Sequence, residues 1–224
     1  MPVRQPLSRD RVVSAGLAIS DAEGVDALTM RRLAEELHVH PTSLYNHLPT
    51  KEAILDAMVD ALIAEADLPH AYATWQDFVR AMAAGMQTVA RAHPGAFLVL
   101  TQRAAIGPVA REVTEAALDA FRRGGFTPPQ AAEAVAAVSL ATLGVALNEC
   151  PPTSPFVTPE FTDDDARRFP RIAEAVAVPV GPDALDRVWE LVVDGLISAL
   201  SARVAAPAPE SRASTHRRAR RAAR

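Results

Sequence analysis

A chain of 224 residues, 49% of them hydrophobic and 22% charged, carries enough apolar material for one large or two small cores and is not of disordered composition. Its net charge of −4 does not advertise a polyanionic partner, and its single cysteine, Cys150, excludes an intramolecular disulfide and suits a reducing compartment. Abundant alanine, few aromatics and scarce alternating β-branched runs make the expected fold class all-α. No charged n-region with an apolar h-region opens the chain, so a cytoplasmic location is expected. The longest weakly polar run, 134–147, falls short of the roughly 20 residues that a membrane span requires, and is expected to be a buried helix with no membrane partner.

In chain order, Ser8 caps a first helix through Glu23, with Val12, Val13, Ala15, Leu17 and Ile19 as its apolar surface and Gly24 as its left-handed stop. Thr29 caps a second helix on which Leu33, Ala34 and Leu37 share a face. A break at 38–40 precedes Pro41, which fits only a first helical turn, so a third helix is expected over 41–47. Leu44 is nearly its only core residue, while Thr42, Ser43, Tyr45, Asn46 and His47 present hydrogen-bonding groups. That is the composition of a helix that reads base edges in a major groove. Pro49 ends this element, Thr50 caps a fourth helix to about Ala66, and Leu68-Pro69-His70 forms a hinge.

Beyond the hinge, Thr74 caps a helix carrying Trp75, Phe78, Val79, Met82, Met86 and Val89, interrupted by Pro94-Gly95, and a short segment 96–102 follows. Gly107-Pro108 opens a helix to Arg123, and Thr127-Pro128 opens a long one to about Glu149 whose alanines, Ser139 and Gly144 would let a neighbour approach closely. A proline-rich loop over 151–159, one helix over 162–176 and a last helix from Pro182 complete the pattern. Leu185, Val188, Trp189, Val192, Leu196, Ile197 and Leu200 give that last helix a stripe too wide for one neighbour. The division expected is 1–66, 67–204 and a disordered tail over 205–224, where six arginines face only Glu210. Such a tail can add salt-sensitive attraction to DNA or serve only as a solvated terminus.

Leu28-Thr29, Arg31-Arg32-Leu33-Ala34, Leu37-x-Val39, Leu44-Tyr45-x-His47, Lys51 and Leu55 resemble the DNA-binding domain of the TetR, or tetracycline-repressor, family of bacterial regulators, over 8–64. Trp75, Phe126, Leu143-Gly144 and the last helix extend the resemblance to that family's tetracycline-repressor branch. The resemblance implies a helix-turn-helix domain followed by an all-helical domain that binds a ligand and dimerises. It implies DNA contacts from Arg31, from Thr42 and Ser43 toward bases, from Tyr45 and His47 mainly toward phosphates, and from Lys51 at the start of helix four. The segment holds more acids than bases, so it is the placement of Arg4, Arg9, Arg11, Arg31, Arg32 and Lys51 that has to supply the attraction.

At the positions where tetracycline-binding members contact the drug and its magnesium, the resemblance places Asp67, Met82, Met86, Val99 and Asn148, so both metal ligands are missing. Glu149 could substitute only by a shift of register. The expected ligand site is therefore apolar and free of metal and cofactor, lined by Met82, Met86, Phe97, Val99, Leu100, Leu143, Leu147 and Asn148. The pair His38 and His40, with Glu35 or His47, reads more simply as solvated turn histidines than as metal ligands. Cys150 reads as a buried structural thiol. No Gly-rich phosphate loop, nucleophile elbow or paired carboxylates point to an enzyme. The expected function is a transcriptional regulator, most simply a repressor, that binds a palindromic operator as a homodimer and is released by a small ligand. The competing reading is a helical scaffold without specific DNA binding.

Overall fold

The computed structural model describes residues 6–150, 162–176 and 183–205, and among them there is no β-strand. Helix α1 (Arg9–Glu23) starts where the Ser8 hydroxyl accepts the Arg11 amide at 3.3 Å and stops at Gly24, whose φ of 86° no other residue adopts easily. Helix α2 (Met30–Leu37) is capped by Thr29, which accepts the Arg32 amide at 3.0 Å. It ends on His38, a non-glycine residue in the left-handed region at φ 53°. Helix α3 (Pro41–Tyr45) follows at once, and α4 (Lys51–Glu65) begins where Thr50 accepts the Ala53 amide at 3.0 Å. Helix α1 packs on both α2 and α4, and Val12, Leu33, Leu44, Ile54 and Met58 close a small core between the four helices.

Asp67, at φ 47°, and the non-helical 68–74 segment lead into α5 (Trp75–Ala92). Its capping box pairs Thr74 with Asp77, and the hydrogen bonds from Thr74 hold the Asp77 carboxyl below its ordinary pKa. A short 3₁₀ turn (Ala96–Leu98), α6 (Val99–Gln102), α7 (Pro108–Arg123) and α8 (Pro128–Ala146) follow. After α8 come a 3₁₀ turn (Leu147–Glu149), α9 (Asp163–Arg168), α10 (Pro170–Val176) and α11 (Ala184–Ala205). Helix α5 lies at the centre of this second half, packed on α7, α8 and α11. Trp75, Phe78, Phe121 and Phe126 pack ring on ring at centroid separations of 5.1–5.8 Å, which fixes the start of α5 against the end of α7.

Three expectations need correction. The expected single helix over 162–176 is two, because Pro170 denies Phe169 the helical conformation, and Phe169 sits at φ −127°, ψ 64°. Helix α3 ends at Tyr45 rather than His47. The apolar run is longer than 134–147: a lone Glu133 does not interrupt it, and the 22-residue stretch 128–149 contains an 18-residue window of mean hydropathy 1.5, long and apolar enough by composition to cross a membrane. Nor is it wholly buried, since only 33% of its apolar window is covered. Ala134, Val138 and Thr142 face the core, whereas Leu140 is 71% exposed. The expected loop over 151–159, the start of the last helix at Pro182 and the tail beyond Ala205 lie outside the described residues.

Candidate nucleic-acid interface

Helix α3 is held by very few groups. Leu44 is fully buried and anchors it, Pro41 supplies its first turn, and the His40 ring accepts the Thr42 amide through Nδ1 at 3.4 Å. The same nitrogen lies 2.8 Å from the Thr42 hydroxyl. His40, read from sequence only as a turn histidine, is thus the N-cap of the helix that bears Thr42. Thr42, Tyr45, Asn46 and His47 are exposed, Tyr45 by half of its surface, and Ser43 is half-buried. Lys51 is half-buried in the first turn of α4, where free amide groups and an ammonium can together hold a phosphate.

The arginines of α2 divide in role. Arg31 projects with 86% of its side chain exposed, 3.6 Å from Glu35 in a loose surface pair that a phosphate can displace. Arg32 does not belong with it: it binds Glu23 at 2.7 Å and Glu36 at 2.9 Å, tying α2 to the end of α1. The hydrogen bond from Arg32 lowers the Glu23 pKa, and Arg32 itself is held more firmly protonated by Glu23 and Glu36.

In the second half, a cavity of about 140 Å³ lies between the end of α4 and helices α5, α6, α7 and α8. Met82, Met86, Leu100 and Leu143 line it, joined by Ile63, Leu68, Ala105, Ala110, Val113, Thr114, Ser139 and Thr142. The hydroxyls of Thr114 and Thr142 are spent on the carbonyls of Ala110 and Val138, at 2.7 and 2.8 Å, so the wall is in effect apolar. Four expected lining residues lie elsewhere. Phe97 and Val99 are fully buried in the core, because the 3₁₀ turn and the start of α6 point them inward. Leu147 is half-buried, and Asn148 turns its amide back to the carbonyls of Gly144 and Val145, both at 3.2 Å. The α7 contribution was missed, although Ala110, Val113 and Ala117 recur there at helical spacing. Asp67 lies in an adjoining hollow of about 230 Å³ with Pro69, His70 and Glu112.

Glu149 is committed to protein groups. It accepts from Gln87 at 3.3 Å and from the Trp189 indole at 3.4 Å, and pairs with Arg91 at 3.0 Å. Arg91 also reaches Asp186 at 2.7 Å, so α5, the turn after α8, and α11 are laced together. The hydrogen bond from Arg91 lowers the Asp186 pKa. Cys150 beside it is buried, and burial, then the charges of Glu149 and Asp21, push its thiol up to about 11. Among the described residues no group of three or more His, Cys, Asp or Glu side chains is placed to hold a metal ion.

Compared with known proteins, residues 12–58 match the model for bacterial regulatory proteins of the tetR family, and residues 68–204 match that of the tetracyclin repressor-like C-terminal domain. An HTH-type transcriptional regulator of Saccharopolyspora erythraea is 37% identical over 62% of this chain, and the match spans 59% of that relative's length. The class A tetracycline repressor from Escherichia coli is 31% identical over 85% of this chain and 90% of its own. Among solved structures, apo ActR from Streptomyces coelicolor superposes with a TM-score of 0.73 at 28% identity, covering 90% of this chain and 98% of that one. ActR in complex with actinorhodin gives 0.70 at 28% identity, with 89% and 99% covered.

Proposed function

We propose, since this chain belongs to the TetR family of bacterial regulatory proteins, that it is a cytoplasmic repressor which grips a palindromic operator as a dimer and is released by a small, largely apolar ligand. The observation that carries this reading is α3: one buried leucine holds a helix with Thr42 and Tyr45 exposed, with His47 exposed in the turn just after it and Arg31 and Lys51 on the neighbouring helices. Residues 1–66 form the DNA-binding part and 67–204 the part that binds ligand and partner. One such helix covers too little DNA for tight specific binding, whereas two related by a dyad read two half-sites about 34 Å apart.

The second copy is supported by uncovered apolar rows on two helices that pack on each other. Ala132, Ala136, Leu140 and Gly144 on α8, and Leu191, Gly195, Ala199 and Ala202 on α11, are all exposed, and a Cβ added at Gly144 or Gly195 would meet nothing within 4 Å. Paired with their mates, the two helices make a four-helix bundle. The ligand is proposed to occupy the cavity between Met82, Met86, Leu100 and Leu143 without magnesium, since Val99 is buried and Asn148 and Glu149 already have partners. ActR holds actinorhodin in one of the similar structures, and ligands of that size would require the methionines to move.

Fluorescence anisotropy with the palindromes flanking the chain's own gene tests the DNA half of the proposal. Tyr45→Ala and Lys51→Ala are expected to weaken binding to every duplex by about 1–3 kcal/mol, Lys51→Ala also lowering the salt slope by about one. Thr42→Ala and Ser43→Ala should instead reorder preference among operators. Equal binding by all four variants would remove α3 from the interface. Calorimetry tests the ligand half, where tetracycline with magnesium is expected to give no heat that EDTA abolishes.

A further inference from the structure

Side chains from three helices meet where α5 ends. His93, the residue after α5, directs Nδ1 to Asp21 Oδ2 on α1 and Nε2 to Glu65 Oε2 on α4, both at 2.7 Å. The other Asp21 oxygen accepts the backbone N–H groups of Gly95 at 3.2 Å and Ala96 at 2.8 Å. The turn lies so close to α1 that a Cβ at Gly95 would collide with the Ser20 carbonyl and come within 2.7 Å of Asp21 Cα. Asp21 and Glu65 belong to the DNA-binding half, whereas His93, Gly95 and Ala96 belong to the ligand-binding half. These contacts join positions 72 and 28 residues apart in sequence, so no local pattern announces them.

A neutral imidazole has one N–H and can donate to only one carboxylate, leaving the lone pair of its other nitrogen against an oxygen; the protonated ring donates to both. Burial opposes the charge on His93, but the Asp21 hydrogen bond, the charges of Glu65 and Asp21, and the Glu65 hydrogen bond outweigh it and raise its pKa. Near this cluster the thiol of Cys150 stays neutral at physiological pH, and Glu149 is paired with Arg91. Met86 lies on α5 seven residues before His93 and Leu100 follows Gly95 closely, so the cluster sits in the same stretch of chain that walls the cavity.

We propose that the Asp21–His93–Glu65 bridge is a proton-dependent clamp that joins the ligand-binding half to the DNA-binding half, so that transmission between the cavity and the recognition helices weakens when His93 loses its proton. Its role in transmission rests on the function proposed above; the clamp itself does not. Because the folded-state pKa is raised, the clamp is fully present below the ordinary histidine pKa and is lost as pH rises through the raised value.

Hydrogen exchange of the full-length protein without DNA or ligand tests this, at about pH 6 and about pH 9 and corrected for intrinsic exchange rates. In the wild type, the amides of Gly95 and Ala96 and those of the last turn of α1 are expected to lose protection about tenfold across this interval, roughly the strength of one charge-assisted hydrogen bond. His93→Gln should show no such loss. Glu65→Gln, which keeps the side-chain size and serves if His93→Gln does not fold, should reduce it. An unchanged wild-type protection, or a full-sized loss in either variant, overturns the clamp. Anisotropy with operator DNA at one fixed pH judges the function separately, since a clamp without DNA binding and DNA binding without a clamp give different results in the two measurements.

Discussion

Glu149 illustrates how one carboxylate can be removed from ligand chemistry by its neighbours. With Gln87, Arg91 and Trp189 all directed at its Oε1 and only 11% of its side chain exposed, it is held by protein groups, and a metal arriving there would have to compete with the Arg91 cation. Glu149→Ala should therefore cost about 1–3 kcal/mol in denaturant unfolding, while added magnesium should leave the wild-type melting temperature unmoved. Cys150 next to it should resist a disulfide reagent near pH 8 until the chain is unfolded, because burial disfavours its thiolate. Single-residue roles were legible in the sequence where the reason was local. Leu44 is the lone apolar residue of α3, so the exposure of Tyr45 and His47 followed from it. Glu23, which Arg32 reaches on α1, and the partners of Glu149 and His93 come from other parts of the fold, and no spacing within one helix could reveal them. Phe97 was placed at the cavity on its apolar character and Val99 on the family resemblance, and neither says which way a short turn faces.

Helix α4 is held to the second half by three carboxylates along its length. Asp56 binds Arg103 at 2.7 Å, Asp60 accepts the Val109 and Ala110 amides at 3.1 and 3.3 Å, and Glu65 holds His93. Asp60 thus caps α7 from another helix, and a Cβ at Gly107 would meet that carboxylate and have to displace it. Asp60→Ala should destabilise the protein by about 1–2 kcal/mol in thermal or chemical unfolding, with Asp60→Asn recovering most of the loss. Six other helix starts were readable, since Ser8, Thr29, Thr50, Thr74, Thr127 and Thr162 all stand where helices begin and the side-chain chemistry of a cap is local. The break at Pro170 was readable by the same logic and was passed over. Asp60 was not readable, because a cap lent across 49 residues leaves no trace in the order of the chain.

At the scale of the molecule, the rows that hold Gly144 and Gly195 are the least finished part of a single chain. Leu140 and Leu191 stand 71% and 73% exposed there, next to small residues that would allow close approach of a second copy. Leu140→Glu or Leu191→Glu should give monomers or aggregates in sedimentation and abolish operator binding, because a charge buried at such a seam has no partner. A wild-type monomer in the same measurement would refute the seam. The sequence displayed the width of these stripes but not the mate, since exposure of an apolar row is visible only once the chain's own helices have claimed their share. Under the proposed pairing, the protein would also be sensitive to its own dose. Were the chain scarce, paired copies would vary with the square of the number of chains made, so halving synthesis would leave about a quarter of the paired form, and the proposed target genes would respond to expression level more steeply than in proportion.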